Sequence, residues 1–466
     1  MRWTLCYILI LVKKLIPIVR GLCVTLLGKV GILLVICLNC YCEASTSSHK
    51  VTLTAASPSF TDVSASIAIA RPGDTVIVPA GSAIWNSSLI ITKGIKLIGA
   101  GIGQTIITGG FSAGTNYFTN SGYMVVYEPS NPEANEPFRL SGFTFDGGGN
   151  CHWLKLSNRP TSTPIYIPRK IRIDHNRVLN TKLELGIMIF GELYGVADNN
   201  EFVGARSRHL GLDELAWRNL TFSYGTADNF YFEDNVYNLG GKELAYAEAG
   251  ARYCIRHNTI NLTAQDLFSL HDAHGNNPGA WSGTMGLEIY ANAIDAHGNY
   301  LSVADHRGGK GLIYDNTVSN TTPTYIEVRE EFFDYDGPGP AKNSISGQPQ
   351  YVSESYYWNN QLNGALIPVN IPPGIYPNGG TLDYGGELGI VPQFDRDCWK
   401  QSAAFNGTSG IGYGPLSSRP TTCTKGVAYW ATDTKTLYRC IATNTWEDYY
   451  KPYTYPHPLR TELSGQ

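Results

Sequence analysis

The chain has 466 residues, 43% of them hydrophobic and only 16% charged, which excludes a disordered polypeptide and exceeds what one small domain needs. Fifty glycines and 29 tyrosines beside four methionines favour a turn-rich, β-heavy fold over a helical bundle. Residues 1–44 carry five of the 35 basic side chains and one of the 39 acidic ones, so the remainder holds 30 basic against 38 acidic groups, a balance that excludes a binder relying on phosphate neutralisation, and hence nucleic acid as a partner.

Residues 1–44 combine scattered positive charge with apolar stretches, the last being Val30 to Leu38, ahead of the small-residue site Cys42-Glu43-Ala44. This reads as an export signal, or as an N-terminal anchor if it is retained. Lys13, Lys14, Arg20 and Lys29 interrupt the runs that a bilayer-spanning helix needs. The expectation is a secreted or cell-surface monomer, meeting a membrane only through that segment.

Ser59 to Ala70 follows an amphipathic helical pattern with Val63 and Ile67 on one face, suited to cover an open apolar end. Short strand-like runs succeed it at 71–85, 95–109 and 140–149. From there one phrase recurs: IRIDHNRV, GVADNNEF, FYFEDNVY, YCIRHNTI, LEIYANAI, GLIYDNTV and SYYWNNQL. Each has an asparagine at the same place (Asn176, Asn200, Asn235, Asn258, Asn292, Asn316 and Asn360), with spacings that fit a 23–24-residue unit carrying loop insertions. Bulky apolar residues lie three before it, such as Ile173, Phe232 and Ile289, and two after it, such as Val178, Phe202 and Ile260. A unit of three short strands cannot bury its apolar side alone, so coils must stack into one continuous core. Asparagine suits such a turn because it tolerates the left-handed conformation and its amides bond to coils above and below.

Counting from each asparagine predicts which side chains share a face. Thirteen residues on lie Asp213, Glu248, His271, Asp305 and Arg329; one further lie Glu214, Asp272, His306 and Glu330. Alternation points Tyr246 with Glu248, Ser269 with His271, and Glu327 with Arg329 to the outside of one sheet. Inserted loops around it bring Trp217, Tyr224 and Trp281 as stacking platforms for sugar rings. The bland alternative is a solvated charge stripe. DAHGN occurs twice, at 272–276 and 295–299, but at different distances from the asparagine, so the copies face different sides and form no joint site.

After Leu366 the coil phrase stops. Residues 386–466 read as a separate aromatic-rich module expected to pack over the open end of the solenoid at 50–366, with a Cys423–Cys440 disulfide closing a short hairpin. Cys151 and Cys254 read as small buried hydrophobes.

The run from Ala68 through Gly109, with the asparagine coils after it, resembles the right-handed parallel β-helix proteins of the pectate lyase superfamily over about residues 50–365. The resemblance implies an all-β solenoid whose cleft floor is the strand that carries the polar row. No catalytic phrase of the family is present to carry over, so the chemistry rests on geometry. The catalytic candidates are Asp213, Glu248, His271, Asp305 and Arg329, and the substrate-binding candidates Tyr246, Glu214, Asp272, His306, Glu327, Glu330, Trp217 and Trp281. Two reactions can be drawn on a polysaccharide substrate. An inverting hydrolase would use Glu248 and Asp305, two coils or roughly 9.6 Å apart. A uronate β-elimination lyase would use Arg329 or His271 as base, with Ca²⁺ held by Asp213, Glu214 and Glu248 as the one cofactor considered. A non-catalytic surface or adhesion protein using the same cleft to bind glycans is the alternative from another class.

Overall fold

The computed structural model describes residues 50–463 except 115, 117–118, 159–165, 183–185, 204–210, 214–221, 241–242, 249, 264–268, 276–282, 300, 322–323, 330–351 and 372–391, with backbone alone at Gly211–Asp213. The leader segment 1–44 and the candidates Glu214, Trp217, Trp281 and Glu330 therefore lie outside the described residues. No described helix is long and apolar enough to cross a membrane.

The chain winds through three long parallel sheets, visiting each once per coil, as a parallel β-helix. The first sheet runs through twelve described strands from Thr52–Thr54 to Cys398–Lys400, the second through eleven from Gly81–Trp85 to Ala365–Leu366, and the third through ten from Leu89–Ile91 to Val369–Asn370. Every pairing in them is parallel except the last of the second sheet. Helix α1, Phe60–Ile69, starts at Ser59, whose side chain accepts from the Asp62 amide, and turns Val63 and Ile67 inward at the N-terminal end, as its pattern predicts.

Period-2 alternation fills the interior with aligned columns. In the first sheet Leu140, Ile173, Ala197, Phe232, Ile255, Ile289 and Ile313 pair in register, all buried. In the second, Val178, Phe202, Tyr237, Ile260, Ile294 and Val318 do the same, and Phe202 stacks on Tyr237 at 4.7 Å. Each fully buried aliphatic side chain contributes about 1.5–3 kcal/mol.

The asparagines form one buried ladder at the corner between the first two sheets. The Asn176 amide N–H donates to Asn200 Oδ1 (3.1 Å), Asn200 to Asn235 (3.0 Å), Asn235 to Asn258 (2.9 Å), Asn258 to Asn292 (3.0 Å), Asn292 to Asn316 (3.2 Å) and Asn316 to Asn360 (3.4 Å). Each Nδ2 from Asn176 to Asn360 also donates to a first-sheet carbonyl of the preceding coil, as Asn258 does to Phe232. The left-handed turn belongs to the residue before: His175, Asn199, Asp234, His257, Ala291, Asp315 and Asn359 all have φ between 49° and 56°. The asparagine thus serves the bonds and its neighbour serves the turn, a division the sequence reading had merged.

The outward face of the first sheet is not solvated. Its column Val196, Tyr231, Cys254, Glu288, Leu312, Tyr356 and Trp399 is apolar but for the buried Glu288, which accepts from the Tyr450 hydroxyl at 2.8 Å and the Gly225 amide at 2.8 Å, and must be covered. The cover is the C-terminal four-stranded sheet, Ile411–Gly414, Ala428–Ala431, Thr436–Ala442 and Thr445–Tyr450, whose Ala428, Trp430, Leu437 and Tyr450 join that cluster. Cys423 and Cys440 are disulfide-bonded across its hairpin, as expected, and Cys151, Cys254 and Cys398 are buried thiols. The C-terminal aromatics therefore pack along the flank of the solenoid and not over its end. Tyr224, expected beside the cleft, packs here against Tyr449 and Tyr450. The tail then returns toward earlier coils, where its carbonyls accept from two buried arginines and one half-buried one: Tyr453 from Arg256 (2.7 Å), Arg460 from Arg172 (2.7 Å) and Leu463 from Arg139 (3.0 Å).

Replacing Asn258 by alanine orphans the Asn235 N–H and the Phe232 carbonyl, and is expected to lower unfolding free energy by about 2–5 kcal/mol. Ala291→Gly removes the left-handed cost of a Cβ at φ 56° and is expected to raise stability by up to about 1 kcal/mol. Denaturant titrations of both variants check the pair.

Candidate functional site

Pairing in the third sheet sets which side chains share its outward face. One column runs Lys155, Met188, then Gly211, and continues through Tyr246, Asp272, Asp305 and Glu327 to Asn370. The next outward column contains Phe190 and Asp213, and continues through Glu248, His274, Arg307 and Arg329, each one or two residues past those pairings. The face changes character along its length: Tyr123, Val126, Met188 and Phe190 make an apolar patch with Lys155 Nζ over the Phe190 ring at 4.6 Å, and the later coils are polar.

The expected row of five is split by this register. Glu248 and Arg329 share a column, in which Asp213 precedes Glu248; the Asp213 side chain lies outside the described residues. Asp305 belongs to the other outward column, beside Asp272. His271 pairs with Ala245 and is fully buried in the interior, between small residues of the neighbouring coils. His306 also points inward, where Nδ1 bonds the Tyr357 hydroxyl at 2.8 Å and Nε2 the Gly308 carbonyl at 3.0 Å. The cause is loop length. From the asparagine to the first column is 11 residues for Gly211, Tyr246 and Glu327, but 14 for Asp272 and 13 for Asp305, with a register shift between Ser302 and Ala304. Three extra residues turn His271 inside, and two move Asp305 one column over.

What the register does assemble is a connected set. Arg329 grips Asp305, with Nε donating to Oδ1 at 2.9 Å and NH2 contacting Oδ2; Nε also lies 3.2 Å from Glu327. Arg307 joins Asp305 (3.5 Å) to Asp272 and donates to His274 Nε2, which lies 3.1 Å from Asp272. The Tyr246 ring meets the His274 ring at 4.3 Å, and its hydroxyl reaches Glu248 Oε2 at 3.4 Å. Tyr246, Asp272, Glu327, Glu248, Asp305 and Arg329 thus meet on one face, joined by His274 and Arg307, which counting from the asparagines missed. Both were findable as the residues two past Asp272 and Asp305, which alternation sends the same way.

This face is not a solvated stripe. Asp305 and Arg307 are each 3% exposed. Burial alone would push both aspartates up, but at Asp272 the hydrogen bonds and charge of His274 and Arg307 prevail and hold it down at about 2. At Asp305 burial outweighs Arg329 and Arg307, and its pKa is raised; Glu327 is raised for the same reason. Two neighbouring carboxyls are thus driven in opposite directions, a pattern that buried ion-pair networks and reactive sites share. Among the described residues no three His, Cys, Asp or Glu groups converge as a metal site, and the aspartates here are neutralised by guanidinium groups. That donor set does not suit Ca²⁺; of the three residues expected to hold it, Glu248 alone has a described side chain. The two DAHGN copies lie on different sheets, the third for Asp272 and the second for Asp295, as expected.

No family model matches the sequence, and no curated protein matches it. Solved structures do. ORF18 of Geobacillus virus E2 aligns at TM-score 0.36 and 15% identity over 67% of this chain, which spans just over half, 56%, of that protein. The A-module of the Azotobacter vinelandii mannuronan C-5 epimerase AlgE4 aligns at 0.34 and 13%, covering 65% of this chain and 83% of that one. The PL6 family polysaccharide lyase Pedsa3628 from Pseudopedobacter saltans aligns at 0.30 and 13%, covering 80% and 87%.

Inside the sheet, burial holds His271 neutral down to about pH 3 and His306 to about 4, whereas unfolded imidazole protonates near 6.5. The unfolded chain therefore binds more protons in that window, so their contribution is complete above about 6.5 and is lost as pH falls. Asp272 adds a second loss between about 4 and 2. His271→Leu is expected to keep the fold and to flatten the pH dependence of unfolding between 6.5 and 4 by up to about 1.4 kcal/mol per pH unit. Urea unfolding at pH 7 and 5 measures it.

Proposed function

We propose that the chain is a polysaccharide-active enzyme that acts on uronate-containing chains by abstracting the C5 proton, with the outward face of the third sheet as its site. The observation that carries this reading is the convergence, on four neighbouring strands, of a phenol and an imidazole in ring contact (Tyr246 and His274) with two guanidinium groups (Arg307 and Arg329). A sugar carboxylate entering there pairs with Arg307, which frees the His274 Nε2 lone pair to take the C5 proton. The guanidinium holds the charge that develops on the carboxylate. In elimination the C5–H bond breaks, the C4–C5 double bond forms, the C4–O bond breaks, and Tyr246 O–H protonates the departing oxygen. Asp272 orients Arg307 and accepts a hydrogen bond from His274 Nε2 once that nitrogen carries the proton, and Asp305 anchors both arginines.

Inverting hydrolysis is less well supported. Glu248 and Asp305 stand in different columns, two coils and two residues apart, about 12 Å between Cα positions at ordinary strand spacings. Asp305 is also engaged by two arginines and is not free to activate water. The acidic mature chain, the leader-like segment 1–44 and the Cys423–Cys440 disulfide support export to an oxidising compartment, with the protein secreted or at the cell surface.

The test is incubation with polygalacturonate, polymannuronate and neutral glucans, following ultraviolet absorbance of unsaturated uronate and reducing ends together. Unsaturated product from an acidic chain is expected. Tyr246→Phe and His274→Gln should each cut turnover by about 10²-fold or more while thermal unfolding stays close to wild type. Reducing ends without unsaturated product would move the reading to hydrolysis, and binding without turnover to a glycan-binding surface protein.

A further inference from the structure

A cleft of about 510 Å³ lies away from the third sheet, where the asparagine corner meets the C-terminal sheet and tail. Its volume is that of an ordinary small-ligand site, roughly 300–1,000 Å³. Three features set it apart from a packing gap. Two aromatic rings, Tyr413 and Tyr455, keep 42% and 44% of their surface exposed. Both are pinned: Tyr455 stacks on His257 at 3.8 Å and its hydroxyl donates to Asp234 at 2.7 Å, while the Tyr413 hydroxyl accepts from Asn359 Nδ2 at 3.3 Å. Rings fixed in this way lose little freedom when a flat ligand stacks on them.

The second feature is the wall. Lys435 and Lys451 both line the cleft, whose lining holds one carboxylate, Asp315, with Oδ1 already accepting from Asn359 Nδ2 at 2.6 Å; Lys451 also donates to the exposed Asp448 at 3.1 Å, a solvated pair that a ligand carboxylate can replace. The third is the floor. Along the row of left-handed corner residues, Asp234, His257, Asp315 and Asn359 carry polar side chains, but Ala291, in the middle of the cleft, carries only a methyl group. Alanine is a poor choice for φ 56°. Its local cost is unexplained by the turn, and its smallness leaves room.

We propose that this cleft is a second saccharide site, binding a short acidic oligosaccharide through stacking on Tyr413 and Tyr455 and pairing of its carboxylates with Lys435 and Lys451. It does not depend on the reaction assigned to the third sheet. Ala291→Asn is the decisive variant, because asparagine suits the left-handed turn and fills the gap.

Galacturonate and mannuronate hexamers are titrated into the full chain by calorimetry at low and high salt, with cellohexaose as the neutral comparison. The expected result is two acidic-hexamer binding events, one of which weakens with salt, exceeds any binding of cellohexaose, weakens about tenfold or more in Tyr413→Ala and Ala291→Asn, and survives in Tyr246→Phe and His274→Gln. Unfolding midpoints at or above wild type in Ala291→Asn exclude misfolding as the cause. Absence of binding, equal binding of the neutral hexamer, or binding retained by Ala291→Asn and Tyr413→Ala but lost in Tyr246→Phe and His274→Gln would each overturn the proposal. Loss of turnover without loss of this binding would leave it standing.

Discussion

A single hydrogen-bonded constraint organises this solenoid: each ladder asparagine has to meet the carboxamide of the next coil. The corner between the first and second sheets is consequently fixed at two residues, from Asp174 to Arg177 through Trp358 to Gln361. An insertion there would break a buried bond on both sides, at about 1–3 kcal/mol for each orphaned group. Length variation is displaced to the two other corners, and both of them border the third sheet. The sheet with the freest connections is the one whose outward face gathers Tyr246, Asp272, His274, Asp305 and Arg307. The rigid corner and the variable cleft are two results of one requirement.

The electrostatics of that face depend on being out of water. A mixed row of acids and arginines on an open sheet would be worth little. Buried, each charge needs a partner, and the alternation of Asp272, Arg307, Asp305 and Arg329 supplies one for every member. Removing one charge leaves its neighbour uncompensated, so the set is coupled, and a charged ligand entering it must exchange partners with it.

Much of this was legible in the sequence because it repeats at constant spacing. The asparagine phrases gave the coil and the interior columns from Ile173 to Ile313, while the capping helix and the Cys423–Cys440 hairpin followed from local pattern. Registration of the third sheet was not legible, since it accumulates the length of a connection that varies from 11 to 14 residues, and period-2 alternation converts one residue of error into a reversal of face. His271 went inside and His274 outside for that reason alone. The C-terminal aromatics signalled burial correctly but carried no information on which surface they bury; that was decided by the outer column from Val196 to Trp399, apolar but for Glu288.

Stacked coils ordinarily communicate only with their neighbours, so a solenoid behaves as a linear array that can fray from either end. The tail at 451–463 changes this. By accepting hydrogen bonds from Arg256, Arg172 and Arg139, it ties the last residues of the chain to coils laid down some 200 to 320 positions earlier. The coils from Arg139 to Arg256 cannot separate from the tail without leaving these guanidinium groups short of their acceptors, so what would be a zipper is bridged along that stretch and its coils are coupled beyond their immediate neighbours.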